Sequence, residues 1–193
     1  MKKFLNLGCG YPRARNTPEI EWLNVDNLFE LFAPHQPEYQ NLIIEGNYFN
    51  WDLTVSLPFP ENSYDGILCS HFLEHLDCQT TLQLLRDCYK VLKPEGVLRI
   101  SFPCAKKFLH GIYNNWGDKE WGEPNGNPSV TFMETALLFG EHKQILTAEA
   151  VYCLLYLANF RKYHVSKPRE SLIPGLEVMD NRITFSEFIE ATK

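Results

Sequence analysis

Phe4-Leu5-Asn6-Leu7-Gly8-Cys9-Gly10 is a short apolar stretch that ends in two glycines. A second short stretch, residues 22–25, ends in Asp26. In a parallel α/β sheet, ligands bind outside the carboxyl ends of the strands, so both ends are expected to face one crevice. Glycine lets backbone N–H groups come close to a ligand, and a carboxylate accepts hydrogen bonds from ribose hydroxyls. The two stretches therefore predict a nucleoside-binding site.

A strand, a helix and a second strand are predicted in the middle of the chain. An apolar run at residues 64–70 is typical of a buried strand, and apolar residues then recur with helical spacing over 79–92. A turn at 93–96, where glycine supplies the backbone freedom, leads into a strand at 97–103. This succession is a βαβ unit, which favours an α/β fold with a parallel sheet.

Further elements are predicted on both sides of this unit. Residues 48–51 alternate weakly and end in Asp52, a second carboxylate placed after a predicted strand. Thr147 is a suitable N-cap for a helix that continues through residue 159. Two strand candidates follow, at 160–166 and 184–191.

The composition is that of a globular protein and argues against several classes of function. The 193 residues are 45% hydrophobic and 22% charged, which suits one domain with a sizeable core. A net charge of -6 and the lack of any basic cluster larger than a pair argue against a nucleic-acid partner. No apolar run approaches the roughly 18 residues of a membrane span, and the N-terminal run is too short for an export signal. A cytoplasmic protein without a membrane partner is therefore expected.

Residues 1–193 are predicted to form a single domain. Within it, residues 105–146 are rich in aromatic, glycine and proline residues and lack regular patterning, as in a lid or an insertion that shapes a substrate pocket. The six cysteines form no CxxC pair and fall mostly in apolar segments. They are expected to be reduced and buried, and not to form disulfides or a zinc site.

Five motifs, in their order and spacing, resemble those of class I S-adenosylmethionine-dependent methyltransferases. They are Leu5-Asn6-Leu7-Gly8-Cys9-Gly10, Asn24-Val25-Asp26, Trp51-Asp52-Leu53 with the loop at 57–65, Ser70-His71-Phe72-Leu73-Glu74-His75-Leu76, and Leu92-Lys93-Pro94-Glu95-Gly96. The resemblance covers residues 3–103. Beyond it, residues 140–143 and 173–177 resemble a compact bacterial subgroup that is often associated with surface-polysaccharide genes.

The resemblance implies a Rossmann-like fold, with a seven-stranded, mostly parallel sheet, one antiparallel edge strand, and helices on both faces. It also implies S-adenosylmethionine as the cofactor. The residues implied to bind it are Gly8, Cys9 and Gly10 beneath the methionyl part, Asn6 at the ammonium, Asp26 at the ribose, Asp52 and Leu53 at the adenine, and Ser70 and His71 near the methionyl end.

Two histidines are the candidate catalytic residues. The methyl group of a sulfonium is already activated, so the protein needs no nucleophile, but a base helps when the acceptor is a hydroxyl or an amine. His71 is the first candidate because of its place after a strand, and His142 is the second because it lies at the end of the predicted lid. His75 is expected to be a structural hydrogen-bonding residue.

No metal site is expected. His71-x-x-Glu74-His75 matches the inverzincin zinc pattern, but that chemistry needs both histidines on one face of a helix. Here the first histidine directly follows a strand, so the match is interpreted as a coincidence of a short motif.

The sequence thus predicts methyl transfer from S-adenosylmethionine to a hydroxyl or amine of a small molecule or sugar. A dinucleotide is disfavoured, because G-x-G-x-x-G would need glycine at position 13, where arginine stands. The alternative is a non-catalytic protein that binds S-adenosylmethionine as a regulatory or partner subunit. Asn6 and Pro12 motivate this alternative, since the family often has an acid and a third glycine at these positions.

Overall fold

The chain folds around a mixed seven-stranded sheet. The computed structural model describes residues 1–10, 14–27, 46–107, 109, 142–175, 179–180, 183 and 185–193. The strands are β1 (Lys2–Leu7), β2 (Ile20–Asp26), β3 (Tyr48–Asn50), β4 (Tyr64–Ser70), β5 (Leu92–Pro103), β6 (Lys162–Val165) and β7 (Ser186–Thr192), and the α-helices are α1 (Cys78–Val91) and α2 (Ala148–Leu157).

The sheet order is β3-β2-β1-β4-β5-β7-β6, which confirms the predicted fold class. Strands β1 to β5 pair in parallel, and β7 is antiparallel to both β5 and β6. The reversed strand therefore lies one position inside the sheet edge, with β6 on its outer side. Among the described residues, no helix is both long and apolar enough to cross a membrane.

The register brings the carboxyl ends of the central strands to one edge of the sheet. Leu7, the last residue of β1, pairs with Val25 of β2 on one side and with Cys69 of β4 on the other. Asp26, at the end of β2, pairs with Asn50 at the end of β3. The glycine pair, Asp26 and the segment after β4 consequently emerge side by side.

Two apolar clusters hold the sheet on its opposite faces. The larger one contains side chains of α1 and α2 together with Leu5 and Leu7 of β1, so both helices pack on the same face. The smaller one contains Phe4, Trp22 and Ile173, and Ile20 packs against it. The prediction of helices on this second face lies outside the described residues. Burial of these apolar side chains supplies the main favourable term for folding.

The ends of the helices follow local side-chain chemistry. Asp77 caps α1, because its carboxylate accepts hydrogen bonds from the Thr80 N–H at 2.8 Å and the Thr80 hydroxyl at 2.9 Å. This cap was not predicted, and the helix begins at Cys78, one residue before the expected start. The Thr147 cap of α2 is confirmed, since its hydroxyl accepts from the Ala150 N–H at 3.3 Å.

The backbone conformation of the turn predicted at residues 93–96 differs from the expectation. Glu95, not Gly96, has the left-handed backbone conformation, with a φ of 63°. Gly96 is required for a different reason, because a Cβ there would lie 2.8 Å from the carbonyl oxygen of Lys93. The expectation that glycine supplies the backbone freedom of this turn was therefore wrong. Gly96 instead avoids a clash with the backbone.

The prediction that the cysteines are buried needs correction. Cys69, Cys88 and Cys104 are buried as expected, but Cys78 and Cys153 are exposed on the two helices. All six cysteines are free thiols. The error arose because both exposed positions lie on the solvent side of amphipathic helices, where apolar neighbours in sequence do not imply burial.

Arg99 of β5 is a fully buried cation that links β5 to β7 and to the segment between β6 and β7. Its guanidinium donates hydrogen bonds to Asp180 Oδ2 at 2.5 Å and to Glu190 Oε1 at 3.1 Å. It also donates to the carbonyl oxygen of Lys167 at 2.9 Å. Because Arg99, Asp180 and Glu190 are all buried, each charge depends on the others for compensation.

Candidate functional site

The ends of β1 and β2 are tied together by backbone donors of the glycine segment. The Gly8 N–H donates to the Val25 carbonyl at 3.0 Å, and the Gly10 N–H donates to Asp26 Oδ2 at 2.8 Å. Asp26 is only 5% exposed, so its carboxylate is held in place at the carboxyl edge of the sheet. The predicted pairing of glycine backbone and acidic side chain is therefore present.

The two glycines have different surroundings. Both have positive φ, 62° at Gly8 and 49° at Gly10. A Cβ at Gly8 would lie 2.3 Å from the Phe72 ring, whereas a Cβ at Gly10 would have no neighbour within 4 Å among the described residues. Gly8 therefore permits close packing of the segment that follows β4, and at Gly10 glycine suits the left-handed backbone conformation.

Cys9 lies between the glycines and is not suited to act as a nucleophile. Its Sγ lies 3.8 Å from the carbonyl oxygen of Gly10. Burial, with the negative charge of Asp26 as a second cause, raises the pKa of the Cys9 thiol well above its ordinary value. A nucleophilic cysteine requires the thiolate, so Cys9 stays protonated and unreactive at neutral pH.

Alkylation tests this environment. With iodoacetamide at about pH 7.5, Cys78 and Cys153 are expected to react at least about tenfold faster than Cys9, because they are exposed and Cys9 is half-buried and held as the thiol. Peptide mass spectrometry over a time course gives the rates for each site. Modification of Cys9 as fast as Cys153 in the folded protein would contradict the placement of its sulfur beside Asp26.

Asp52 lies two residues after β3, close to the end of β2. The Trp51 N–H donates to the Asp26 carbonyl at 3.1 Å, which joins the two segments. Asp52 Oδ1 accepts from the Thr54 N–H at 2.9 Å and from the Thr54 hydroxyl at 2.7 Å. These bonds lower the pKa of the exposed Asp52 carboxyl, so it is ionised at neutral pH. Leu53, predicted to line an adenine pocket, is buried in the larger apolar cluster.

Asn6 belongs to a buried network of asparagine side chains, on the face of β1 opposite to the larger apolar cluster. Its amide nitrogen donates to Asn24 Oδ1 at 2.9 Å, and Asn24 in turn donates to the carbonyl oxygens of Ala14 and Asn47. Because the nitrogen of Asn6 is the donor, its carbonyl oxygen is the group that could accept from an ammonium. No pattern in the sequence predicted this network.

His71 follows β4 and has partners at both ring nitrogens. Its Nε2 lies 2.7 Å from Ser186 Oγ, and its Nδ1 lies 3.3 Å from Glu74 Oε1. Its backbone is left-handed, with a φ of 51°, and its N–H donates to the Ser101 carbonyl at 2.8 Å. Ser70 Oγ lies 2.7 Å from Ser101 Oγ. To act as a base, His71 would have to exchange one ring partner for an acceptor.

His142 lies beside the short 3₁₀ helix Leu73–His75. The Lys143 and Gln144 N–H groups both donate to the Glu74 carbonyl, at 2.7 and 3.2 Å. This places the His142 ring edge-on to the His75 ring, with centroids 4.8 Å apart. The prediction that 105–146 forms a lid lies largely outside the described residues, which include only 105–107, 109 and 142–146 of that stretch.

The structure therefore brings the predicted residues into two groups. Gly10 and Asp26 form one group, and His71 and His142 both adjoin Glu74 in the other. Phe72, which packs on Gly8, connects the two groups. The sequence analysis assigned no role at the site to Glu74, although it lies in the same motif as His71, and it could not detect Ser186, which lies 115 residues from His71.

Comparison with known proteins adds a family match to this geometry. A family model described as "Methyltransferase domain" matches residues 5–100. A curated relative, phosphoethanolamine N-methyltransferase of Plasmodium falciparum, is 38% identical over 131 residues, which are 67% of this chain. The match spans only 46% of that relative's length.

Solved structures show the same architecture. A SAM-dependent methyltransferase from Archaeoglobus fulgidus is 21% identical, with a TM-score of 0.62 and coverage of 100% of this chain and 86% of that one. An O-methyltransferase family protein from Burkholderia thailandensis is 14% identical, with a TM-score of 0.63 and coverage of 100% and 51%. This chain is therefore similar to the methyltransferase family over residues 5–100, and it shares the seven-stranded architecture of these solved structures.

Proposed function

We propose that this protein transfers a methyl group from S-adenosylmethionine to a hydroxyl or amine of a small molecule or sugar. The observation that carries the proposal is the hydrogen bond between the Gly10 N–H and Asp26 Oδ2, at the carboxyl edge of the sheet. It puts a glycine backbone beside a fixed carboxylate, which is the pairing that a nucleoside ligand requires. The family match over residues 5–100 supports methyl transfer as the chemistry.

The chain has suitable groups for each part of the donor. The Asp26 carboxylate would hold the ribose hydroxyls, and the backbone at Gly10 would lie against the thioether chain. The ionised Asp52 carboxylate would accept from the adenine amino group, and the Asn6 carbonyl oxygen from the ammonium. Gly8, Cys9, Leu53 and Ser70 would support these contacts through the backbone and packing around them.

The chemistry then depends on position and on one proton. When bound, S-adenosylmethionine would supply an activated methyl group, which the acceptor takes by in-line attack on the methyl carbon while S-adenosylhomocysteine leaves. The protein must align the acceptor and exclude water, effects worth up to about 7–11 kcal/mol. His71 is the first candidate to take the acceptor's proton, and His142 is the second, because both lie beyond the end of β4.

The class of acceptor is a separate part of the proposal. The Plasmodium relative carries phosphoethanolamine, an amine, in its name, which supports an amine acceptor here. The sequence resemblance to a subgroup associated with surface polysaccharides instead supports a sugar. Small-molecule amines and sugar hydroxyls are therefore the two acceptor sets to assay.

A non-catalytic S-adenosylmethionine-binding subunit is the second candidate. The observation that favours it is the neutral Asn6, which is tied to Asn24 where the family often has an acid. Loss of that negative charge weakens attraction for the donor's ammonium. Binding without turnover on either acceptor set would support this alternative.

Calorimetric titration followed by a product assay tests the proposal. S-adenosylmethionine and S-adenosylhomocysteine are expected to bind at one site, and NAD is expected not to bind. Methyl transfer from labelled donor is then measured by mass spectrometry on amine and sugar acceptors. NAD binding in place of the adenosyl compounds would overturn the assignment of the pocket.

Asparagine in place of His71 tests the proposed base. His71→Asn keeps a residue type that tolerates positive φ, so the local backbone is preserved. If His71 takes the proton, kcat is expected to fall by about 10²- to 10⁴-fold while donor affinity changes little. The matched control is His164→Asn on the exposed strand β6, which should leave both unchanged. An unaltered kcat in His71→Asn would exclude this histidine as the base.

A further inference from the structure

We propose that Glu74, His75 and His142 bind a first-row divalent transition-metal ion. One ligand atom from each of the three lies within 4.8 Å of the others, in the part of the chain that the structure describes. Two imidazoles and one carboxylate suit Zn²⁺, Fe²⁺, Co²⁺ or Ni²⁺ much better than Mg²⁺ or Ca²⁺, which prefer oxygen ligands. Three protein ligands would leave at least one coordination position open.

The carboxylate of Glu74 gives independent evidence for a cation. Its side chain is 2% exposed, and neither Oε1 nor Oε2 has a hydrogen-bond donor among the described residues. The nearby His71 Nδ1 lies 3.3 Å from Oε1, close enough for charge attraction but without hydrogen-bond geometry. A buried carboxylate normally has full hydrogen bonding or a positive partner, because its desolvation is costly. A metal ion supplies that partner.

The protein holds the three ligands on a fixed backbone. Gln144 fastens the segment after His142, because its side chain donates to the Leu73 carbonyl at 3.1 Å and to the Thr81 hydroxyl at 2.7 Å. The backbone of the same segment is bonded to the Glu74 carbonyl. Ligands at about 2.1 Å from a tetrahedral ion are roughly 3.4 Å apart, so small side-chain rotations would close the site.

This ligand set differs from that of the zinc pattern His71-x-x-Glu74-His75. His71 leaves the strand with a left-handed backbone and bonds to Ser186, so it does not join His75 on a helix. The third ligand comes instead from His142, 67 positions further along the sequence than His75. The reason for expecting no metal was the missing helical face, and it does not apply to this set.

The inference stands apart from the proposed methyl transfer, because metal binding is measured without donor or acceptor. The two proposals meet only at His142. A histidine that ligates a metal cannot also take the acceptor's proton, so a bound ion leaves His71 as the candidate base. Absence of methyl transfer would leave the metal result unaffected, and the reverse also holds.

Metal titration of the EDTA-treated, dialysed full chain tests the site. Zn²⁺ is followed by calorimetry and Co²⁺ by visible absorption, with one equivalent expected to bind. Glu74→Gln and His142→Asn are each expected to weaken Zn²⁺ binding at least about tenfold, and His164→Asn, a histidine on exposed β6, should leave it unchanged. Thermal unfolding checks the fold of each variant, and His142→Asn alone decides if Glu74→Gln does not fold.

Two outcomes would overturn the proposal. One is no stoichiometric binding of Zn²⁺ or Co²⁺ by the unsubstituted protein. The other is binding that His142→Asn leaves unchanged or that His164→Asn weakens equally, which would place the ion elsewhere. A rise in the unfolding temperature with Zn²⁺ that is lost in His142→Asn would support it, because a ligand stabilises the state that binds it.

Discussion

Alanine in place of Asp26 is expected to weaken S-adenosylmethionine binding by about 2–3 kcal/mol, or roughly 30- to 150-fold. The substitution removes the carboxylate proposed to hold the ribose hydroxyls, and hydrogen bonds to a charged group are worth more than neutral ones. It also removes the acceptor of the Gly10 N–H, which fixes the glycine backbone. Calorimetric titration of the variant and the unsubstituted protein measures the change.

The matched control for this prediction is Asp65→Asn. Asp65 also accepts a backbone hydrogen bond, from the Lys3 N–H at 2.8 Å, but it lies at the start of β4, at the opposite edge of the sheet. Its substitution should leave donor affinity within about twofold. A folded Asp26→Ala protein with unchanged affinity would show that the ribose is bound elsewhere.

Leucine in place of Arg99 is expected to destabilise the fold by about 3–5 kcal/mol. The change leaves Asp180 and Glu190 buried without their cation, and uncompensated buried charges are very costly. It also removes the donor to the Lys167 carbonyl. Urea unfolding followed by circular dichroism gives the free energy of unfolding.

Two further variants sharpen this test. Arg86→Leu, on the exposed side of α1, should change the free energy of unfolding by less than about 0.5 kcal/mol. Replacing Arg99, Asp180 and Glu190 together by apolar residues of similar volume should recover much of the loss, because no buried charge then remains unpaired. A loss below about 1 kcal/mol for Arg99→Leu would show that these ion pairs do not hold β7.

Local patterns predicted much of the fold. The ends of β1, β2 and β4 were visible because apolar runs stop at glycine or at a polar residue, and the helix cap at Thr147 has a local signature. The cap at Asp77 was missed, although its chemistry is equally local. The family resemblance implied one antiparallel edge strand, but the insertion of β7 between β5 and β6 was not predicted, because no local pattern encodes such long-range pairings.

The candidate site, like the fold, was predicted only in part. Gly10 and Asp26 were predicted together because each ends a strand in a parallel sheet, where the carboxyl ends share an edge. The hydrogen bond from Asn6 to Asn24 and the contact between His71 and Ser186 depend on side-chain directions across strands far apart in sequence. Only the folded arrangement determines these contacts.

The contact between His71 and Ser186 has a consequence for how the protein is made on the ribosome. The family-matched segment, which contains His71, is synthesised first. Ser186, the residue that contacts this histidine, is the first residue of β7 and is synthesised much later. Until then, β5 presents an unpaired edge that invites aggregation. A nascent chain that ends after residue 103 is thus expected to need a chaperone, and the contact between His71 and Ser186 forms only after β7 has been synthesised.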